Sequence, residues 1–134
     1  MNIYLETNGT LPEALLKIKP YIDIIGMDIK LPSTGEHKPY WKEHENFLKG
    51  LIDKTFFIKV VVSSNTETSE IQQAVNLVSR YAPRTPFYLQ SLTPASGKQQ
   101  PPSIEQLLKW QVLAMKALPQ VKISTQMQRW LKIR

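Results

Sequence analysis

Charged and amide side chains follow several apolar stretches of this sequence, and these residue types can bind charged small molecules. Glu6 and Thr7 come after the first stretch, Asp28 and Lys30 close the second, and Gln90 lies at the end of a later one. Asp28 and Lys30 are two positions apart, so on a strand their side chains point the same way and could face one ligand. The ammonium group of Lys30 could hold a ligand carboxylate. A structural ion pair between Asp28 and Lys30 would explain the same pattern.

A turn signal follows the first apolar stretch, in the segment Glu6-Thr7-Asn8-Gly9. Asn8-Gly9 is a strong turn dipeptide, and glycine lets a backbone approach a ligand closely. Thr7 and Asn8 could simply form a hydrogen-bonded turn. Gln90 could likewise serve a buried backbone group instead of a ligand. The residue types alone leave both interpretations open at each position.

Apolar stretches alternate with amphipathic segments along the chain, and this alternation predicts an α/β fold. Nearly continuous apolar runs are typical of strands covered on both faces. The predicted strands are residues 3–5, 21–31, 56–62, 86–92 and 121–124. The first predicted helix begins with Thr10 and Glu13 in capping-box spacing and with Pro12 in its first turn, and the second begins near Pro39. Ser64 with Glu67 and Ser103 with Gln106 are the predicted caps of the next two helices.

Strands that alternate with helices form right-handed crossovers and a parallel sheet. We therefore expect residues 1–134 to form a single domain without an internal linker. In parallel α/β folds, ligands bind beyond the carboxyl ends of the strands. The polar residues described above lie at those ends, so the sequence predicts a binding site there.

The composition narrows the class of protein. The chain has 134 residues, of which 42% are hydrophobic and 21% charged, as in ordinary globular proteins. No apolar run approaches the ~20 residues of a membrane span and no signal peptide is recognisable, which predicts a cytoplasmic protein without a membrane partner. The net charge of +6 comes from lysines and arginines spread along the chain, which favours a solvated surface over nucleic-acid binding.

The sequence contains no cysteine. Disulfides, thiolate nucleophiles, cysteine zinc sites and iron–sulfur ligation by this chain are therefore excluded. His37 and His44 have no evident third ligand, so we predict no metal site and a surface position for both histidines. Trp41, Trp110 and Trp130 are expected to pack between helices and sheet.

Four segments, in this order and spacing, resemble the later strands of radical S-adenosylmethionine (SAM) enzymes, and among these the 7-carboxy-7-deazaguanine synthase family. The segments are YLETNGT, DIIGMDIKLPS, FIKVVVSS and FYLQSLTP. The resemblance covers essentially the whole chain. It implies a partial (β/α) barrel, in which this chain would form roughly the last four βα units of a six-stranded partial TIM barrel.

The resemblance also implies roles for individual residues, none of them catalytic. SAM would be contacted by residues at the strand ends, namely Gly9, Asp28, Lys30, Gln90, Ser91 and Thr93. Thr7 would face a pterin-derived substrate, and Gln128 would stand where the family has a substrate-binding histidine. Glutamine can hydrogen-bond but carries no charge at neutral pH, so the substrate stays open at this stage.

Members of this family act in the pathway to queuosine and related deazapurines. Their four-iron four-sulfur cluster, held by a three-cysteine loop, cleaves SAM reductively, and the radical starts the ring contraction of 6-carboxy-tetrahydropterin, with magnesium assisting. Without that loop, this chain is expected to be inactive alone and to bind SAM weakly or not at all. It would act with a completing N-terminal segment, or cover its open edge as a homodimer. A fragment of a glycyl-radical-enzyme activase and a non-catalytic binding or scaffold subunit are the alternatives.

Overall fold

The computed structural model describes residues 4–7, 12–34, 39–92 and 99–124, and strands and helices alternate along them. The strands are β1 (Tyr4–Thr7), β2 (Ile24–Ile29), β3 (Thr55–Val62), β4 (Phe87–Ser91) and β5 (Val121–Ser124). The helices are α1 (Pro12–Ile18), α2 (Trp41–Lys49), α3 (Thr68–Tyr81) and α4 (Ile104–Met115). Short 3-10 turns at Lys19–Tyr21 and Pro32–Thr34 flank β2. The α/β class predicted from the sequence is confirmed.

The strands form one parallel sheet in the order β1-β2-β3-β4-β5, so each strand lies beside its neighbour in the sequence. A doubly wound sheet reverses its strand order part-way across and carries helices on both faces, whereas a barrel adds its strands in one direction. The observed order is the barrel type of winding. It is compatible with the predicted partial barrel.

One face of the sheet, here called the helix face, packs against the helices and forms the core. Its strand side chains are almost completely buried: Ile25, Met27, Ile29, Ile58, Val60, Val62, Phe87, Leu89 and Val121. The helices cover this face with apolar stripes at three- and four-residue spacing. The stripe predicted for α3, with Ile71, Ala74, Val75 and Val78, is confirmed as buried.

The opposite face of the sheet, here called the open face, bears charged and aromatic side chains, including Asp28, Lys59 and Tyr88. Phe57 and Tyr88 meet edge to face, with their ring centroids 5.8 Å apart. Phe57 also lies across Gly26, where an added Cβ would come within 2.5 Å of the ring. Glycine at position 26 therefore makes room for this aromatic ring.

The second strand begins later than the sequence predicts. A strand is expected from residue 21, but β2 starts at Ile24. Pro20 belongs to a 3-10 turn, and Tyr21 is 70% exposed at the end of that turn. The apolar run at residues 21–31 thus begins in a 3-10 turn, and only its part from Ile24 to Ile29 forms a strand.

Of the three predicted helix caps, the one at α3 is wrong, and that of Thr10 lies outside the described residues. Glu67 directly precedes α3, but its partner is Glu70, whose Oε1 accepts a hydrogen bond from the Glu67 backbone N–H at 2.8 Å. The predicted partner, Ser64, instead uses its carbonyl to accept from a side chain of α4. The capping box of Ser103 and Gln106 at α4 is confirmed. None of the helices in the described ranges has the length and apolar composition needed to cross a bilayer.

The tryptophans in the described helices lie where the sequence predicts, whereas His44 does not. Trp110 is buried and Trp41 packs against the core, as predicted, while Trp130 lies outside the described residues. His44 is completely buried, so the predicted surface position is wrong. His37 lies outside the described residues.

Candidate functional site

Four side chains of alternating charge lie in a row on the open face, at the carboxyl side of the first three strands. Lys59 Nζ lies 3.0 Å from Glu6 Oε1 and 3.4 Å from Asp28 Oδ1, so this ammonium group bridges two carboxylates. The second oxygen of Asp28 lies 3.5 Å from Lys30 Nζ. The side chains of Lys59 and Asp28 are mostly buried, whereas those of Lys30 (40% exposed) and Glu6 (54% exposed) reach into solvent. We call these four residues the charged row.

Strand pairing explains why these residues meet. Asp28 of β2 is in register with Lys59 of β3, and Glu6 of β1 is in register with Gly26, two residues before Asp28. Since side chains alternate between the faces of a strand, all members of the charged row project away from the core. The prediction that Asp28 and Lys30 point the same way is confirmed. The geometry fits both of its interpretations, a ligand site and an ion pair.

Gln90 extends the polar surface of the open face to the fourth strand. It is in register with Val61 of β3 and Ser124 of β5, and its exposed fraction is 9%. Ser124 is also buried, with 6% exposed. Together they place hydrogen-bonding groups at the carboxyl ends of β4 and β5, on the same face as the charged row.

Two predicted site residues lie on the helix face instead. Thr7 is in register with Met27, which is completely buried, and Ser91 is in register with a buried valine of β3. Alternation therefore directs the Thr7 and Ser91 side chains away from the charged row, while their neighbours Glu6 and Gln90 lie on the open face. The structure does not bring the side chains of Thr7 and Ser91 together with the other predicted site residues.

Three further predicted contacts fall on Gly9, Thr93 and Gln128, which lie outside the described residues. Their roles toward SAM and substrate remain predictions.

The loops at the carboxyl edge of the sheet are tied together through Ser33, in the 3-10 turn after β2. Its backbone N–H donates to Glu70 Oε2 at 2.8 Å, its carbonyl accepts from Gln99 Nε2 at 3.1 Å, and its hydroxyl donates to Thr66 Oγ1 at 3.4 Å. Glu70 is only 7% exposed. Because the buried Glu70 carboxylate also accepts from the start of α3, the loops after β2, β3 and β4 fix one another at this edge.

The sequence interpretation missed Lys59 and did not assign Glu6 a role. Lys59 is the one charged residue in β3, and a lone lysine in an apolar strand indicates a face that is not part of the core. That signal was available in the sequence. The contact between Glu6 and Lys59, in contrast, joins residues 53 positions apart and depends on the register of three strands.

The residues that the structure describes form no metal-binding cluster, and two surface depressions among them lie away from the charged row. In the part of the chain that the structure describes, no group of three or more His, Asp or Glu side chains could hold a metal ion. One depression lies near the amino end of β4 and includes Arg84 and Thr85, and another lies between α2 and α3 and includes Trp41 and Gln73. The charged row lines neither of them.

Two carboxylates with a lowered pKa also lie away from the charged row. A hydrogen bond from the Tyr81 hydroxyl, 2.7 Å long, holds the pKa of Glu45 below its usual value, and the charges of Lys49 and Arg80 add to this effect. The hydrogen-bonded ion pair with Lys19 lowers the pKa of Asp53. These groups belong to the surface of the helices and loops, not to the open face.

The fold and the charged row define an α/β protein with a five-stranded parallel sheet, compatible with a partial barrel, that presents ionic groups toward the carboxyl edge of the sheet. No family model matches the chain. The chain is, however, 36% identical over 129 residues to 7-carboxy-7-deazaguanine synthase of Geobacter sulfurreducens. The alignment covers 96% of this chain and 51% of that enzyme, so the chain spans about half the length of the curated relative it matches. The chain is therefore homologous to 7-carboxy-7-deazaguanine synthase over that half, and the resemblance predicted from the strand ends is confirmed.

Proposed function

We propose that this chain is the C-terminal, ligand-facing part of a radical SAM enzyme that resembles 7-carboxy-7-deazaguanine synthase and serves queuosine or deazapurine biosynthesis in the cytoplasm. The observation that carries the proposal is the position of the charged row at the carboxyl edge of a barrel-type sheet. The homology with the Geobacter synthase supports the same assignment and favours it over a glycyl-radical activase.

The open face fits the charged end of SAM. The methionyl part of SAM carries a carboxylate and an ammonium group, which call for a cation and an anion side by side. Lys30 Nζ and Asp28 Oδ2 offer that pair 3.5 Å apart, and Gln90 adds an amide on the same face. We assign Lys30 to the SAM carboxylate, and Asp28 and Gln90 to its other polar groups. Bound SAM supplies the radical chemistry in enzymes of this kind, whereas these residues bind and orient it.

The other half of the charged row is assigned to a pterin-like substrate. Glu6 is 54% exposed and uses one carboxylate oxygen for Lys59, which leaves acceptor capacity for the N–H groups of a pterin ring. Lys59 keeps Glu6 beside the SAM-facing pair because it contacts Asp28 as well. The contacts of Gln128 with the substrate and of Gly9 and Thr93 with SAM are also part of the proposal. Thr7 and Ser91 are proposed to contact the substrate and SAM through their backbone groups, because their side chains lie on the helix face.

The iron–sulfur cluster of radical SAM enzymes does not fit this chain. Cluster irons are held by thiolates, and the sequence has no cysteine. We therefore assign no step at the cluster to this chain and propose that alone it is inactive and binds SAM weakly or not at all. A completing N-terminal segment would supply the cysteines. In the described sheet β1 is an edge strand, and its free edge is where such a segment would pair.

A second copy of the chain is the proposed partner for the outer surface of α4. This helix exposes an apolar stripe at near-helical spacing, consisting of Ile104, Leu108, Val112 and Met115, each at least 51% exposed. Glu105 and Lys116 lie at opposite ends of the helix, so an antiparallel pair of α4 helices would bring unlike charges together. The stripe belongs to the unit before β5, at the other end of the sheet from β1. Sedimentation of Leu108→Glu as a monomer and of the unchanged chain as a dimer would support this interface.

A chimaera tests the proposed function. The half of the Geobacter synthase that is homologous to this chain is replaced by this chain, and the product is reconstituted anaerobically with iron and sulfide. We expect the chimaera to form 5′-deoxyadenosine and 7-carboxy-7-deazaguanine, and the 134-residue chain alone to form neither. Lys30→Met should weaken SAM binding to the chimaera by about tenfold or more, because a charge-assisted contact is lost. Lys122→Met, an exposed lysine of β5, should leave SAM binding unchanged.

Two results would contradict the proposal. One is a chimaera that folds and binds its cluster but forms neither product, while the rejoined native halves of the Geobacter enzyme form both. The other is 5′-deoxyadenosine production by the 134-residue chain alone, which would show that the missing cysteines are not needed.

A further inference from the structure

His44 contacts the backbone of the candidate site, although it lies on a helix 14 residues further along the chain. Its Nε2 atom accepts a hydrogen bond from the backbone N–H of Lys30 at 3.0 Å. Lys30 is the first residue beyond the end of β2, where the ladder of paired residues between β2 and β3 stops at Ile29. The imidazole therefore satisfies a backbone donor at the point where the strand ends.

The hydrogen bond fixes the chemical form of the histidine. A ring nitrogen that accepts a hydrogen bond carries no proton, so His44 is neutral and its proton is on Nδ1. The ring is completely buried, with the rings of Tyr40 and Trp41 arranged edge-on at centroid distances of 6.2 and 6.4 Å. A buried imidazole needs partners for its ring nitrogens, and the Lys30 backbone N–H is the partner of Nε2.

The helix that carries His44 is firmly attached to the core. Phe47 and Leu48 of α2 lie one turn further along the same helix face as His44 and are both buried. On the other side of the contact, Leu31 is completely buried, and the Ser33 backbone N–H is bound to Glu70. Lys30 is thus held at its own N–H by α2 and, through the next residues, by the core and α3.

We propose that His44 is a positioning residue for the Lys30 ammonium group. By holding the backbone of Lys30 at the strand end, the imidazole sets the direction in which the side chain leaves β2, so that Nζ stays beside Asp28 and is available to a ligand carboxylate. The hydrogen bond between His44 and Lys30 lies within this chain and involves no ligand. The identity of the ligand as SAM rests on the function proposed above.

The hydrogen bond is tested in the 134-residue chain without any ligand. Since donor and acceptor are both nitrogen atoms, a through-hydrogen-bond coupling between Lys30 N and His44 Nε2 is measurable by NMR in uniformly 15N-labelled protein. We expect this coupling, an unprotonated Nε2 shift for His44, and slow hydrogen exchange of the Lys30 amide. A His44 ring protonated on Nε2, with no coupling to Lys30, would overturn the proposal even if no variant of His44 can be purified.

Two variants separate positioning from packing. His44→Phe keeps an aromatic ring but has no acceptor, whereas His44→Gln keeps an acceptor at a similar reach. In the chimaera described above, His44→Phe should weaken SAM binding by about three- to tenfold, the equivalent of one hydrogen bond, and His44→Gln should largely restore it. Phe47→Leu on the same helix is the packing control, and it should lower the denaturation midpoint without changing SAM affinity.

The outcomes distinguish a failure of this inference from a failure of the proposed function. If Lys30→Met weakens SAM binding but His44→Phe does not, the positioning role of His44 is wrong and the SAM assignment stands. If Lys30→Met has no effect either, the assignment of SAM to Lys30 is wrong, and the purpose proposed for His44 falls with it. Equal losses of affinity in His44→Phe, His44→Gln and Phe47→Leu would reduce His44 to a packing residue.

Discussion

The two faces of the sheet obey different rules. On the helix face, the strand residues are almost completely buried, and neighbouring strands place apolar side chains in the same rows. On the open face, Asp28, Lys59 and Tyr88 are in register with one another across β2, β3 and β4. Phe57 fills the space above Gly26. Successive residues of a strand therefore alternate between packing in the core on the helix face and presenting polar or aromatic groups on the open face.

This difference explains how a strand such as β3 can be both core and binding surface. Its segment Phe56 to Val62 is apolar at every position except Lys59, and this lysine is the one sign in the segment of a face that is not part of the core. In the structure, Val60 is completely buried and Val61 only partly. Lys59, directly before Val60, is tolerated in this strand because its side chain leaves from the open face and meets two carboxylates.

Val60 and Val61 give the most direct test of the comparison, because they are identical residues on opposite faces of one strand. Val60→Ala should lower the free energy of unfolding by about 2 to 3 kcal/mol, since it removes buried methyl groups and leaves a cavity. Val61→Ala should cost less than about 1 kcal/mol, because its side chain is only half-buried. Both are measured by urea denaturation. Equal losses would mean that the open face is as well covered as the helix face.

Gly26 tests whether the open face has packing of its own. A methyl group at this position would lie 2.5 Å from Phe57 Cζ, so Gly26→Ala should destabilise the chain by about 1 to 2 kcal/mol through overpacking. In a Phe57→Leu background the shorter side chain leaves room, and the penalty should largely disappear. A double-mutant cycle of denaturation midpoints measures this coupling. An unchanged penalty in the Phe57→Leu background would show that the ring is not the cause.

The helix face was predictable from the sequence, and the open face only in part. Apolar runs identified the strands, and the two-residue spacing of Asp28 and Lys30 placed both on one face. The position of the Thr7 side chain on the helix face was not predictable, because a shift of one residue in a strand exchanges the faces and the sequence does not show the register. The Glu6–Lys59 contact required the same missing information.

His44 was misplaced for a different reason. Its neighbours in the segment HKPYWKEHENF are polar, which is typical of a surface. The helical period, however, places His44 on one face with Phe47 and Leu48, which are buried, and that signal outweighs the local polarity. The helical period could therefore have predicted that His44 is buried. Its hydrogen-bond partner, the Lys30 backbone N–H, could be identified only from the fold.

The ion pairs of the charged row should matter much less for stability than the core does. A double-mutant cycle of Asp28→Asn and Lys59→Met is expected to give a coupling of about 0.2 to 1 kcal/mol, because the pair is partly solvated. The coupling should fall when the salt concentration is raised. Lys122→Met is the control. Lys122 of β5 is in register with Lys59 but is separated from it by Tyr88 of β4, so Lys122→Met should show no coupling with Asp28→Asn. A coupling well above this range would show that the charged row serves mainly to stabilise the fold.

The smallest expected effect concerns Glu45, whose carboxylate lies on the surface of the helices. It tests the electrostatics of that surface independently of those of the open face. The Tyr81 hydroxyl, followed by Lys49 and Arg80, lowers the pKa of Glu45 in the folded chain. A lowered folded pKa contributes stability above the unfolded value of about 4.5, and this contribution is lost as the pH falls through the folded pKa. The melting temperature of Glu45→Gln should therefore lie below that of the unchanged chain at neutral pH and converge with it under acid conditions. Tyr81→Phe should show the same convergence, because it removes the main cause of the shift, whereas parallel curves for both variants would contradict this account.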